Sequence, residues 1–347
     1  PTATPTAIPT ATPTITKSVE KIPPSTSGLT VNTDDWFGWS VTGLGDINGD
    51  GVVDMAVGAV WDDAGDVTDA GAVYVLFLST TGTMISHVKF NSGSTNGGPS
   101  MLDADDRFGH SVAGIGDLNH DGVADLAVGA AYDDEDDTNA GAVWLFFLSS
   151  TGAAIQHTKI VQSSGLPINA EDLFGDSALA LGDFNGDGVV DMASGAIGDD
   201  EDGTNVGAVY LLCLTSSGGL ESHVRLSPTV GGSPLLEADE GWGRALGNLG
   251  DVDGDGVLDL AVGVFTGQGT AVHVLVLFLN SSGAVRSFVK IGSNEGGCPV
   301  MEEGSQFGRS VAGLGDLNGD GVPDMAVGAE GDDDGGSIAG AVYVLHL

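Results

Sequence analysis

One aspartate-rich loop recurs five times, and that recurrence constrains the fold more than any other feature of the chain. The loop reads Asp-x-Asn/Asp-x-Asp-Gly-Val-x-Asp and opens at Asp46, Asp117, Asp183, Asp251 and Asp316, with spacings of 71, 66, 68 and 65 residues. Each unit runs from an aromatic-Gly pair through a glycine-spaced apolar segment, the Asp loop, a short run such as DMAVGA, an acidic loop, GAVYVLFL, a Ser/Gly turn and a segment such as SHVKF. The apolar runs are short, rich in Val, Leu and Phe, and bounded by Gly, Asn and Asp clusters, which is the punctuation of strands. Four strands per unit at this period predict an all-β, five-bladed β-propeller of four-stranded blades.

A linear array of small sheets is the competing arrangement, and the chain ends argue against it. The fifth unit stops at Leu347 after its third strand, while Ser18-Val19-Glu20-Lys21-Ile22 aligns with the fourth-strand segment Ser287 to Ile291. The N-terminal strand, about residues 15–22, is therefore expected to complete the last blade, close the ring and remove two free sheet edges. Two domains are predicted: a Pro/Thr-rich extended arm at 1–14 and the propeller at 15–347.

Charge excludes one class of partner. Lys and Arg total 10 against 49 Asp and Glu, a formal charge of -39, so nucleic-acid phosphates and anionic membranes would be repelled. The chain is nevertheless 41% hydrophobic, enough for a real core. Its longest apolar runs, such as Ala140 to Leu148, fall short of the roughly 20 residues of a membrane helix, so no membrane span is predicted. The chain opens at Pro1 and reads as processed or trimmed. Cys213 and Cys298 imply no disulfide framework.

The pairs Phe37-Gly38 with Gly58-Ala59, Phe108-Gly109 with Gly129-Ala130, Phe174-Gly175 with Gly195-Ala196 and Phe307-Gly308 with Gly328-Ala329 resemble FG-GAP repeats, the units of integrin α-subunit β-propellers. The fourth unit departs from the pattern with Trp242-Gly243 and Gly263-Val264. Integrin propellers are seven-bladed, so the ring size of five rests on this chain's own repeat count.

The loops have the chemistry of calcium sites. Side-chain oxygens at positions 1, 3, 5 and 9, a carbonyl at 7 and a turn-permitting Gly at 6 suit a hard cation that takes about six to eight oxygens. The expected ligands are Asp46, Asn48, Asp50, Val52 and Asp54; Asp117, Asn119, Asp121, Val123 and Asp125; Asp183, Asn185, Asp187, Val189 and Asp191; Asp251, Asp253, Asp255, Val257 and Asp259; and Asp316, Asn318, Asp320, Val322 and Asp324. An EF-hand would need Glu at position 12, where this chain has Val57, Val128, Ser194, Val262 and Val327 inside strand-like runs. Aspartates that merely cap turns are the alternative. Five structural Ca2+ ions are expected, held tightest in the fourth loop, which has four carboxylates.

At the opposite end of each blade lie Asp62-Asp63, Asp133 to Asp137, Asp199 to Asp202 and Asp332 to Asp334, interrupted in the fourth unit by Phe265 to Gly269. They form either a solvated face or a contact surface for a protein or glycan ligand, since the resemblance implies ligand docking there. Lys21, Lys89, Lys159, Arg225 and Lys290 recur on fourth strands, where edge protection accounts for them. No nucleophile elbow, phosphate loop or catalytic metal set occurs, so no enzyme is predicted, with a polysaccharide-acting enzyme as a third alternative.

Residues 1–14 have prolines at 1, 5, 9 and 13 and candidate O-glycan carriers at Thr2, Thr4, Thr6, Thr10, Thr12 and Thr14. All the prolines are odd-numbered, so the even edge of an extended arm keeps its N–H donors for strand addition. At about 3.1 Å per residue the arm would reach roughly 40 Å, enough to dock on a neighbour and build a head-to-tail filament. The expected function is an extracellular or cell-surface, non-enzymatic, calcium-binding structural or cell-adhesion glycoprotein that self-associates through residues 1–14. A discrete integrin-like adhesin is the alternative.

Overall fold

The computed structural model describes residues 20–23, 28–65, 67–100, 102–226, 240–266, 273–301, 304–333 and 339–347. Strands β1 (Phe37–Gly45), β2 (Asp54–Ala59), β3 (Ala72–Leu78) and β4 (Met84–Phe90) form the first sheet, hydrogen-bonded in that order. β5 (Ser111–Gly116), β6 (Asp125–Ala130), β7 (Ala142–Leu148) and β8 (Ala154–Ile160) form the second, and β9 (Phe174–Gly182), β10 (Asp191–Ala196), β11 (Ala208–Leu214) and β12 (Leu220–Leu226) the third. β13 (Glu240–Gly250), β14 (Asp259–Thr266), β15 (His273–Leu279) and β16 (Val285–Gly292) form the fourth. The fifth contains β17 (Phe307–Gly315), β18 (Asp324–Ala329) and β19 (Ala341–Leu345). Within each sheet every strand pairing is antiparallel, and the first strands β1, β5, β9, β13 and β17 adjoin one another in that order. The fold is an all-β, five-bladed β-propeller. Among the described residues no helix is long and apolar enough to cross a membrane.

Sheets stacked face to face must be apolar on both faces, and the third strands meet that demand. In β3, Val73, Val75 and Phe77 pack with Leu126, Val128, Trp144 and Phe146 of the second blade. Their neighbours Tyr74 and Leu76 point the other way, into a cluster with Val57 and Ala59. The same interleaving joins the second blade to the third, the third to the fourth and the fourth to the fifth.

The glycines of the repeat lie where adjoining blades touch. A Cβ on Gly58 would sit 2.1 Å from the carbonyl oxygen of Gly109 in the next blade, and one on Gly129 would sit 2.0 Å from that of Gly175. Gly195 with Gly243 and Gly263 with Gly308 repeat the approach, so the aromatic-Gly glycine and the glycine ending the second strand form one inter-blade contact. Ser40, Ser111 and Ser177 hydroxyls donate to the same carbonyls at 2.6–2.8 Å. Val264, in place of Ala, leaves this contact intact.

The junction between the fifth and first blades is different. The atoms nearest Gly328 belong to Ser310 of its own blade. Val342 and Val344, on the side that packs against the next sheet in earlier blades, are 73% and 52% exposed. Of the closing strand expected over about residues 15–22, only Glu20, Lys21 and Ile22 lie among the described residues. These three are not in a strand, and Ile22 packs with Leu29 and Val31 on the first blade. That location matches the inter-blade linkers, where Leu166 and Ile168 cover the third blade in the same way. The arm at 1–14, with its candidate glycan carriers, lies outside the described residues.

Candidate metal loops and the opposite face

Each loop starts from a bulge. Pairing of β1 with β2 shifts register between Gly43 and Gly45, and Gly45 has a φ of +70°, which a residue with a Cβ rarely adopts. The chain then turns into Asp46. Asp46 Oδ1 accepts from the backbone N–H groups of Gly49 at 2.7 Å and Asp50 at 3.0 Å, and Oδ2 accepts from Gly51 at 2.7 Å. Asn48 Oδ1 accepts from Asp50 N–H at 2.9 Å, and Asp50 Oδ1 accepts from Val52 N–H at 2.8 Å. Equivalent bonds recur from Asp117, Asp183, Asp251 and Asp316. The side chains at positions 1, 3 and 5 are thereby curled back onto one short loop.

Position 9 departs from the simple ligand picture. Asp54, Asp125, Asp191, Asp259 and Asp324 are at most 1% exposed, whereas the opening aspartates lie at the surface. Asp125 Oδ2 accepts from Leu118 N–H at 2.9 Å, and Oδ1 accepts from Leu148 N–H, at the end of β7, at 3.0 Å. The other four make the same pair of bonds to their own loop and third strand, at 2.8–3.3 Å. This carboxylate clamps the loop to the blade, a role that loop spacing alone does not reveal.

Burial pushes the Asp125 carboxyl up to about 6 and raises Asp54, Asp191 and Asp259 in the same direction. A neighbouring cation would favour the ionised form. In the fourth loop, carboxylate oxygens of Asp251, Asp253 and Asp259 lie within 4.8 Å of one another, an all-oxygen donor set that fits a hard divalent cation. The other loops carry Asn at position 3 and so have one carboxylate fewer. The extra charge of the fourth loop is offset, however, because Arg286 pairs with Asp253 and lies 3.2 Å from Asp255. The expectation that this loop holds its ion tightest overlooked that guanidinium, which comes from β16.

At the opposite end, the first aspartate of each described acidic loop is buried, not part of a solvated run. Lys89 Nζ lies 2.7 Å from Asp62, Lys159 Nζ 2.6 Å from Asp133, and Arg225 Nε 3.0 Å from Asp199. The fourth-strand cations of the first three blades therefore neutralise buried loop carboxylates, which corrects the assignment to edge protection. Tyr74 and Tyr210 donate to Asp62 and Asp199 at 3.1 and 3.0 Å, and Tyr343 donates to Asp332 at 2.8 Å.

A second buried carboxylate, two residues before the aromatic-Gly pair, sits nearby. Asp106 and Asp172 accept the N–H groups of Asp103 and Asn169 at 2.7 Å. Burial, reinforced by Asp133 for Asp106, pushes both carboxyls up to about 7. Burial likewise raises Asp62 to about 6 against the pull of Lys89. The uncharged stretch of the fourth blade lies outside the described residues beyond Thr266. Cys213 and Cys298 are buried free thiols. A cavity of about 760 Å³ opens at this same end, between the first and fifth blades.

The fold is that of a β-propeller, and three of its five units match a known repeat. Residues 37–76, 108–146 and 307–345 match the FG-GAP repeat. The chain is 33% identical over 183 residues to integrin alpha-PS5 of Drosophila melanogaster, covering 51% of this chain and 16% of that protein. It is 31% identical over 169 residues to integrin alpha-5 of Xenopus laevis, covering 48% and 15%, and 31% identical over 167 residues to human integrin alpha-7, covering 47% and 12%. The matched region thus spans less than a fifth of the length of these relatives. The chain is an integrin-like FG-GAP β-propeller.

Proposed function

We propose that the chain is an extracellular, non-enzymatic structural or adhesion propeller whose blades are held by five Ca2+ ions. The observation that carries this reading is the fivefold recurrence of one oxygen-rich loop, each copy clamped to its blade by a buried aspartate. The ligands are the side chains at positions 1, 3, 5 and 9 with the carbonyl at position 7, from Asp46 to Asp54 through Asp316 to Asp324. Crowded carboxylates repel, and an ion in each loop relieves that repulsion. Each site would add about 2.7 kcal/mol to stability at a hundredfold excess of calcium over its Kd. Calcium outside cells reaches the concentrations that sites of modest affinity need, which supports an extracellular setting. Calorimetric titration should count five ions and chelation should lower the melting temperature; an unchanged melting temperature in EDTA would end the structural-calcium reading.

The finer reading is a filament in which residues 1–14 of one propeller, glycosylated at their threonines, add to a sheet edge of the next. Electron microscopy in calcium of the full chain and of a chain starting at Ile15 tests it: filaments from the first alone support it, and single particles from both overturn it. An adhesin that binds a ligand on the acidic-loop face is the second reading, favoured by the cavity at that end.

A further inference from the structure

The cavity on the acidic-loop face is built by one column of the repeat. The residue after each aromatic-Gly pair is Trp39, His110, Asp176, Arg244 or Arg309, one at the start of each innermost strand, and all five line this space with Glu330. Ring position therefore brings together side chains that lie 65–71 residues apart from one blade to the next.

The charges in the wall alternate. Arg244 Nη1 lies 3.5 Å from Asp176 Oδ1, and Arg309 Nε lies 3.4 Å from Glu330 Oε1. His110 donates from Nδ1 to the Asp176 carbonyl at 3.1 Å, and burial lowers its pKa, keeping the imidazole neutral. The wall carries two guanidiniums and two carboxylates and has no formal net charge.

An aromatic platform stands beside it. The Trp39 ring is 37% exposed and lies 5.4 Å from that of Trp36, which is 53% exposed, at a tilt of 34°. Trp36 and Trp39 together present a contiguous exposed apolar patch. A flat apolar face beside planar donors and acceptors suits a ring that is apolar on its faces and hydroxylated around its rim. An anion would find each guanidinium already facing a carboxylate, within a chain of charge -39, and a cation would meet both guanidiniums.

Resting on the adhesin reading of this face, we propose that the channel mouth binds a neutral pyranose saccharide, stacked on Trp39 and hydrogen-bonded by Arg244, Arg309, Asp176 and Glu330. The volume holds one or two sugar rings.

The test uses the full chain in calcium and a panel of methyl glycosides of glucose, galactose, mannose, N-acetylglucosamine and glucuronic acid, followed by indole fluorescence and calorimetry. At least one neutral glycoside should bind with a Kd of about 1 mM or tighter. Trp39→Ala and Arg309→Gln should each weaken it by roughly tenfold or more, and Trp39→Phe by about threefold or less. Melting temperatures should stay unchanged, which excludes unfolding as the cause. No binding by any neutral glycoside, binding indifferent to both variants, or tighter binding of the glucuronide would overturn the proposal. Attachment of cells to the immobilised protein separates the two readings. Attachment lost in Asp134→Asn/Glu135→Gln and unaffected by the sugars would sink the saccharide site and keep the adhesin. Sugar binding without attachment would do the reverse.

Discussion

Replacing Asp125 by alanine separates the clamp from the ion. The substitution removes two hydrogen bonds to a carboxylate and leaves Leu118 N–H and Leu148 N–H buried without that acceptor. Bonds to a charged group contribute about 1.5–3 kcal/mol each, so the gross loss is about 3–6 kcal/mol. Burial of the carboxyl, expressed in its raised pKa, works against these bonds. The lower end of the range, about 3 kcal/mol, is therefore expected. Urea unfolding in EDTA measures this loss with no ion bound, and the same experiment in calcium should show a larger one, because a candidate ligand has also gone. Asp125→Asn keeps one side-chain acceptor and should fall between wild type and alanine. A cost below about 1 kcal/mol in EDTA would refute the clamp and leave Asp125 as a metal ligand alone.

Three further outcomes follow from the geometry. Arg286→Gln removes the guanidinium from Asp253 and Asp255, so the calcium site proposed for the fourth loop should bind more tightly, by roughly tenfold, in calorimetric titration. Asp106 has a folded-state value of about 7 against 3.8 when exposed, so its protonated form stabilises the blade. That contribution is full below the unfolded value and fades as pH rises through about 7; Asp106→Asn should flatten the decline in melting temperature from pH 5.5 to 8 in saturating calcium. Gly129→Ala puts a methyl carbon 2.0 Å from the Gly175 carbonyl oxygen and should cost about 3 kcal/mol in urea unfolding, or prevent folding.

Local chemistry was legible in the sequence wherever its parts lie within a few residues. The Asp loops, their turn glycines, the strand punctuation and the count of five blades all follow from short-range pattern, because nine consecutive residues contain a whole loop. Pairings across a blade were not legible in this way. Lys89 and Asp62 are 27 residues apart, and Arg286 and Asp253 are 33 apart; only antiparallel register brings each cation onto its carboxylate. The buried aspartates looked like solvated charge for the same reason, since a run of acids does not say which member turns inward.

The sequence by itself determined the repeat, its strands and its oxygen-rich loops, because hydrogen bonding and turn geometry act over short stretches of chain. Tertiary structure alone decided why Gly58 must be glycine, since the obstructing atom is the carbonyl of Gly109 in the next blade. It also decided that Trp39, His110, Asp176, Arg244 and Arg309 share one cavity, and that the fifth and first blades meet differently from the other four junctions. These are relations between blades, set by how twisted sheets stack around an axis, and each becomes visible only when residues one repeat apart lie side by side.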